Sequence, residues 1–452
     1  MSDAATEHQR QSRDKKALWT SLTSLAGRGV SLGVSLVSVP LTLKLLGKDS
    51  YGIWVAITAV LGWAGMADLG LGHGVTNRLS ALHGADDREG ARRVLSSAAG
   101  MIGAISGGLL LLGALSLALL PWRSVLSAPA SVGDGELVGA VGVSMALFLV
   151  GFVQNPFTKV FAAYQEGYLL NYFNLASPLL TLGALGACAW LKPSMPWVVL
   201  ALSGAPMLPM LAGLAYMFGW HRPWLRPSRS SFDGGLARGL LNTGAAFLIP
   251  QIAAIGAWES DYLIVLKVLG PAAVATYATI FRLPSTFQGL LSMWLYPLWP
   301  AYAEAAARGD IVWVRERYKK SLARTMGLSL AGAAGLLLLG RPVVSFWTRG
   351  QIEATTELLL PMAATLLVGS WCQVHAMALN GLGQLRGQAF YGSISAVINV
   401  ILSLVLAKTM GLPGVSWATS IATAVPGLLA YLELRRELNR RLFEQGQAHG
   451  QT

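Results

Sequence analysis

LKLLGKDSYGIWVAITAVLGWAGMADLGLGHGVTNR, residues 43–78, closes one apolar run, turns through a short polar elbow and opens a second run. The second run is long enough to cross a bilayer, for which about 20 mostly apolar residues suffice. Its far end carries Asp68 beside a cluster of glycines and finishes at Arg78. A phosphate loop needs a preceding strand and a GK[ST] ending, and GLGHGVTNR has neither. Small residues of this kind let membrane helices approach closely or bend. The stretch therefore predicts a helix-packing device with an acid submerged in it.

The rest of the chain repeats the pattern. Of 452 residues, 54% are hydrophobic and 12% charged, against about 25% charged in a soluble chain. We read an all-α polytopic membrane protein with about twelve spans, near 17–44, 51–78, 92–120, 136–163, 168–191, 196–220, 238–267, 272–302, 316–340, 355–381, 387–409 and 411–433. Loops between them are short. The net charge of +12 does not indicate nucleic acid, because the cations lie at intervals between apolar runs rather than on one face with aromatics. Cys188 and Cys372 form no CxxC, and the six histidines have no metal-ligand spacing, so no metal site or cofactor is expected. The polar start, MSDAATEHQRQSRDKK, reads as a cytoplasmic tail and not a signal peptide.

Lys and Arg near span ends orient the chain. One set of loops and tails, including Arg13, Arg92, Arg229, Lys319 and Arg436, holds 24 of them; the alternate set, including Lys48, Lys192 and Arg349, holds 8. Three to one places both termini in the cytoplasm. The two halves also echo each other. LKLLGKDSYGIW (43–54) is answered by LKVLGPAAVATYATIF (266–281), and NRLSALHGADDREGARR (77–93) by AYAEAAARGDIVWVRERYKK (301–320). This predicts a six-plus-six duplication, with parallel repeats about an axis along the membrane normal. The expected organisation is a tail (1–16), an N-lobe (17–220), a cytoplasmic linker (221–237), a C-lobe (238–433) and a second tail (434–452).

On LLGKDSYGIW, ADLGLGHGVTNR, NGLGQLRGQAFYGSISAVINV (380–400) and GLPGVSWATSIA (411–422), the chain resembles the multidrug/oligosaccharidyl-lipid/polysaccharide exporter superfamily. It is most similar to the O-antigen and capsule flippase branch, the Wzx-type proteins. The resemblance implies two six-helix lobes in a V around a central cavity. It also implies transport of undecaprenyl-pyrophosphate-linked oligosaccharide across the bacterial inner membrane by alternating access. The lipid-linked oligosaccharide and the bilayer are then the expected partners, with polysaccharide polymerase and glycosyltransferase machinery as candidate neighbours.

Charge in mid-span costs about 2.5–3.5 kcal/mol on the insertion scale. Arg28 lies about 16 Å along the first span at 1.5 Å per residue, too deep for comfortable snorkelling. It should face a polar cavity, or else form an internal ion pair. Arg282 is at similar depth in the eighth span. Two guanidinium forks suit a pyrophosphate, and the resemblance implies cavity arginines on these two helices. Asp68 is read either as a partner for Arg28 or as a proton-taking coupling group. Glu259 and Asp261, near the outer end of the seventh span, are read as cavity lining, as a solvated rim, or as partners of Lys267. His375, in the tenth span, is read as a cavity or proton-relay group, or as a hydrogen-bonded core residue. Lys159 and Glu166 are read as ordinary interface charges. Tryptophans near span ends, such as Trp122, Trp197 and Trp220, form an aromatic belt. Pro250, Pro284, Pro297 and Pro361 mark static kinks or bending points.

A lipid-linked oligosaccharide flippase is thus the expected function, with H⁺ or Na⁺ as the candidate coupling ion. The alternative is an ion-coupled multidrug or cation antiporter, whose cavity should be negative, whereas two mid-depth arginines cannot deprotonate. A membrane enzyme would need a sizeable outer loop with catalytic groups, and the loops here are too short. No nucleophile and base are spaced to work together.

Overall fold

The computed structural model describes residues 3–66, 71–241, 260–384 and 386–449, and every regular element in them is helical. The chain divides into two compact units, Met1–Ile252 and Ala253–Thr452.

The first unit opens with α1 (Asp3–Met66), which is two helices joined at Gly47, where φ is 72° and ψ 171°. That conformation is open essentially to glycine alone, so the elbow seen in the sequence is a single-residue break. Next come α2 (Leu71–Gly84), α3 (Arg88–Leu119), the short α4 (Trp122–Val125), α5 (Asp134–Ala163) and α6 (Gly167–Leu191). The sixth expected span is broken. It consists of α7 (Met195–Val199) and α8 (Met207–Tyr216), each continued by a π-turn, with a bend of 44° between its two halves. Ala205 and Pro206 lie at that break, so proline interrupts spans in this unit as well as in the second. A further helix begins at 234 and reaches the edge of the described residues at 241.

Of the glycine stretch, Gly70 lies outside the described residues, and Gly74 sits at a helix contact. A Cβ on Gly74 of α2 would stand 3.4 Å from Leu240, and one on Gly239 would stand 3.2 Å from Arg78. Val75 and Leu79 of α2, Val94 and Leu95 of α3, Phe161 of α5 and Leu240 join one buried cluster. The expected linker is stitched to the same unit. The backbone N–H groups of Ser228 and Asp233 donate to the hydroxyls of Ser96 and Ser97 on α3, at 3.0 and 2.9 Å. The Phe232 ring covers Gly100, where a Cβ would come within 2.7 Å of it.

The second unit contains α9 (Ser260–Leu269), α10 (Pro271–Leu295), α11 (Leu298–Ala307), α12 (Ile311–Trp347), α13 (Thr356–Gly381), α14 (Arg386–Met410) and α15 (Leu412–His449). Gly270 separates α9 from α10 with φ 87° and ψ 173°, repeating the Gly47 break. The second sequence echo also has a structural counterpart. Asp87 caps α3 by accepting from the Gly90 N–H, and Asp310 caps α12 by accepting from the Trp313 N–H, each satisfying an otherwise orphan first-turn donor. The α13 helix is the most buried of the long apolar helices. Its Val374, Ala378 and Leu379 pack with Leu295, Tyr318 and Leu434.

Among the described residues, eight helices are long and apolar enough to cross a membrane, or nine counting the bent pair. The difference from twelve has local causes. The first two spans run together in α1, the seventh passes through undescribed residues, and the eighth is divided at Pro297 and carries Arg282 and Gln288. Leu111, Trp190, Leu338 and Phe346 stand 73–89% exposed, as side chains that meet lipid should.

Candidate functional site

The described charges do not gather in one place. Asp261, in the first turn of α9, is 2% exposed, so the solvated-rim alternative does not hold. Its Oδ1 accepts from Asn399 Nδ2 at 3.0 Å and Ser403 Oγ at 2.9 Å, both on α14. Its Oδ2 accepts from Tyr277 OH on α10 at 3.1 Å and Thr419 Oγ1 on α15 at 2.6 Å. Four helices thus converge on one carboxylate. All four donors are neutral, and no cation pairs with the acid among the described residues. A buried carboxylate with only neutral donors has its hydrogen bonds satisfied while its charge stays uncompensated. Such a group has two ways to neutralise: bind a proton, or bind a cation. Around it stand further oxygens, since Thr419 Oγ1 also approaches the Val415 carbonyl at 3.1 Å. The oxygens gathered here, of Asp261, Tyr277, Ser403, Thr419 and the Val415 carbonyl, are of the kind that suits a hard cation, while Asn399 presents its amide nitrogen.

Sequence reading found the acid and missed its partners, because Asn, Ser, Thr and Tyr in an apolar run carry no charge to mark them. A signal was present nonetheless. Asn399 and Thr419 fall inside NGLGQLRGQAFYGSISAVINV and GLPGVSWATSIA, and Asn399 and Ser403 are spaced i, i+4 on one face of α14.

His375 belongs elsewhere. It is fully buried in α13; Nε2 is 3.1 Å from Tyr318 OH and Nδ1 2.5 Å from the Trp371 carbonyl. The carbonyl can only accept, so Nδ1 carries the proton and Nε2 accepts from the tyrosine. Trp371 and Tyr431 flank the ring at 4.8 and 5.6 Å between centroids. Arg282 is exposed, midway along α10. Arg28 lies in the helical backbone of α1, and its side chain is outside the described set, as are Asp68 and Glu259.

Glu166 is more than an interface charge. It is 5% exposed at the start of α6, receiving Arg222 Nη2 at 2.7 Å and facing His221 Nε2 at 3.1 Å. Burial pushes its carboxyl up, but hydrogen bonds from Arg222 and His221 outweigh that and hold it below the ordinary carboxylate value. Burial also pushes the neighbouring Tyr164 up to about 12 against the opposing Arg222 charge. The Arg222 guanidinium stacks 4.2 Å from the Tyr164 ring centre. The second unit repeats this turn with other residues: Gln384, following Gly383, donates to Glu437 at 3.4 Å, and Glu437 binds Arg440 and Arg441.

These helices, with their paired glycine breaks, have the fold of the multidrug/oligosaccharidyl-lipid/polysaccharide exporters. An inward-facing multidrug transporter of the MATE family in that superfamily superposes with a TM-score of 0.74 at 15% identity, over 92% of this chain and 98% of its own. Lipid II flippase MurJ in an inward closed conformation gives 0.71 at 14% identity, over 92% and 87%. The family model described as lipid II flippase MurJ matches residues 209–448, just over half of the chain, and the chain belongs to that family. A Salmonella typhi protein named as an O-antigen transporter is 24% identical over 421 residues, covering 89% of this chain and 92% of that protein.

Proposed function

We propose that this protein moves a lipid-linked oligosaccharide, an O-antigen, capsule or exopolysaccharide repeat unit on undecaprenyl pyrophosphate, from the cytoplasmic to the outer leaflet of the bacterial inner membrane. The observation that carries the reading is the near end-to-end match to a named O-antigen transporter, set beside a lipid II flippase model that reaches only residues 209–448. Both termini lie in the cytoplasm on this reading, following the Lys and Arg asymmetry. Arg28 and Arg282 each offer a guanidinium fork to the pyrophosphate, which a fixed, permanently charged donor pair binds bidentately. Their cost at mid-depth is offset when an anionic headgroup neutralises them. The same two charges disfavour an organic cation as cargo.

Asp261 takes the coupling ion, a proton or Na⁺. Loading neutralises the carboxylate, and unloading restores a buried charge that favours a rearrangement of α9, α10, α14 and α15 around it. Transport follows if the two packings differ in affinity for the ion and for the headgroup.

The test is a chromosomal deletion combined with leaflet-specific detection of the lipid-linked oligosaccharide. Accumulation on the cytoplasmic leaflet with loss of surface glycan, both reversed by the plasmid-borne gene, supports the flippase. Unchanged surface glycan together with altered sensitivity to cationic drugs would instead establish the antiporter.

A further inference from the structure

Asp261 is sealed inside the second unit, so an ion that loads there needs a way in. A polar stripe runs along α14 from the end that the charge pattern places in the cytoplasm. Gln388, Tyr391, Ser395, Asn399 and Ser403 recur every three or four residues, which puts them on one helix face. The last two hold Asp261. Polar side chains in a membrane helix are costly unless they face partners or water: Ser395 donates to the Ala422 carbonyl and Gln388 to Asn380, and Gln388, Tyr391, Ser395 and Asn399 also border open space. A cavity of about 230 Å³ is lined by Gln388, Tyr391, Ser395 and Asn399 on one side and by Thr419 and Thr423 of α15 on the other. Its remaining wall is made of small groups, including Cys372, Gly392 and Ala430.

A second cavity, of about 400 Å³, begins where the first ends, because Tyr391 lines both. It lies between the same two helices among Gln384, Glu433, Arg436, Glu437 and Arg440. Glu437 is taken up by Arg440 and Arg441. Glu433 differs: its Oε2 is buried and has no hydrogen-bond partner among the described residues. An unsatisfied carboxylate oxygen at the mouth of a polar stripe attracts cations. The far end of that stripe is Asp261, which pairs with no cation among the described residues.

We propose that these two cavities form one access route, inside the second unit, by which a small monovalent cation passes from Glu433 past Tyr391 and along α14 to Asp261. Tyr391 is the narrow point between the two chambers. The inference rests on the reading of Asp261 as the coupling acid, and it adds that the ion enters between α14 and α15.

The chain supplies its own probe. Cys372 lines the inner chamber, and Cys188 is the only other cysteine. In purified, reconstituted protein carrying Cys188→Ser, a small cationic methanethiosulfonate should modify Cys372. Na⁺ at constant pH should slow the reaction if Na⁺ is the ion, whereas lowered pH without Na⁺ should restore transport coupling if it is the proton. Gly392→Trp places an indole in the inner chamber, where a Cβ meets nothing within 4 Å. It should abolish the modification with membrane level and thermal midpoint unchanged. Glu433→Lys should slow the cationic reagent but not a neutral reagent of the same size, a comparison that stands even if Gly392→Trp fails to fold. Asp261→Asn should leave labelling of Cys372 intact, so the route and the coupling acid fail separately. Labelling by the neutral reagent alone, or cationic labelling indifferent to both Gly392→Trp and Glu433→Lys, would overturn the route and leave the chamber as a seat for an acyl chain.

Discussion

Gly47 and Gly270 hold the same backbone conformation, φ 72° and ψ 171° in one, φ 87° and ψ 173° in the other. Each is the last residue of an LK-x-LG segment, and each breaks a pair of helices at a single residue. A Cβ at either position would meet nothing within 4 Å, so the requirement for glycine there is torsional and not steric. Gly47→Ala or Gly270→Ala should each cost about 1–3 kcal/mol, seen as a lower thermal midpoint in detergent. Gly33→Ala, in ordinary helical backbone with equal room, should raise it slightly, since alanine is favoured over glycine in a helix by about 0.5–1 kcal/mol. Equal midpoints for all three would mean that the breaks are not fixed by torsion.

Arg28→Ala and Arg282→Ala should each abolish surface glycan while the protein still inserts at normal level. Lysine should rescue only in part, because a point charge cannot reproduce the bidentate fork. Glutamate should do worse than alanine by repelling the phosphates. Parental export by both alanine variants would make these arginines packing residues.

Asp261→Asn should stop transport, since an amide takes no proton and brings no negative charge to balance a bound cation. Thr419→Val removes the 2.6 Å hydrogen bond while keeping the shape. It should weaken the ion dependence of flipping in liposomes and leave the maximal rate at saturating ion near the parental value. A loss of maximal rate with unchanged ion dependence would place Thr419 outside the ion site.

Glu166 gives the first unit a pH dependence. Its folded pKa lies below the ordinary 4.5, so its contribution is complete above the unfolded value and is lost as pH falls through the folded one. Arg222→Ala leaves that carboxylate 5% exposed without its main partner, and should cost about 3 kcal/mol at neutral pH. The difference between parent and variant should shrink as pH drops below about 4.5. A gap that stays constant as pH falls would assign the loss to the stacking of Arg222 on Tyr164.

Single cysteines at Ser50 and Lys192 should react with an impermeant thiol reagent added to intact cells, and one at Ser230 should not. Labelling at Ser230 would reverse the orientation, and with it the mouth assigned to Glu433.

How much of this could be read from the chain depended on where the information lay. Helix-long apolar runs, the LKLLG and LKVLG echo and the packing role of the glycine stretch are local patterns, and Gly47, Gly270 and Gly74 carry them openly. The Asp261 cluster is not local. Tyr277, Asn399, Ser403 and Thr419 lie up to 158 positions away, and their side chains bear no charge that would stand out in an apolar run. Glu166 misled in the opposite direction: its position in a short loop suggested solvent, and only the return of His221 and Arg222 buries it.

The repeated glycine break also allows the two halves to be counted against each other. Asp261 stands nine residues ahead of Gly270, and the position nine residues ahead of Gly47 is Ser38, so the two matched segments carry an acid in one and a hydroxyl in the other. A cycle run on Asp261 alone would carry one monovalent cation per lipid, and the proposed pyrophosphate cargo would carry negative charge of its own. At about 2.3 kcal/mol per 100 mV for each charge, the membrane voltage would act on both, so the drive on such a cycle includes the charge of the headgroup as well as that of the ion.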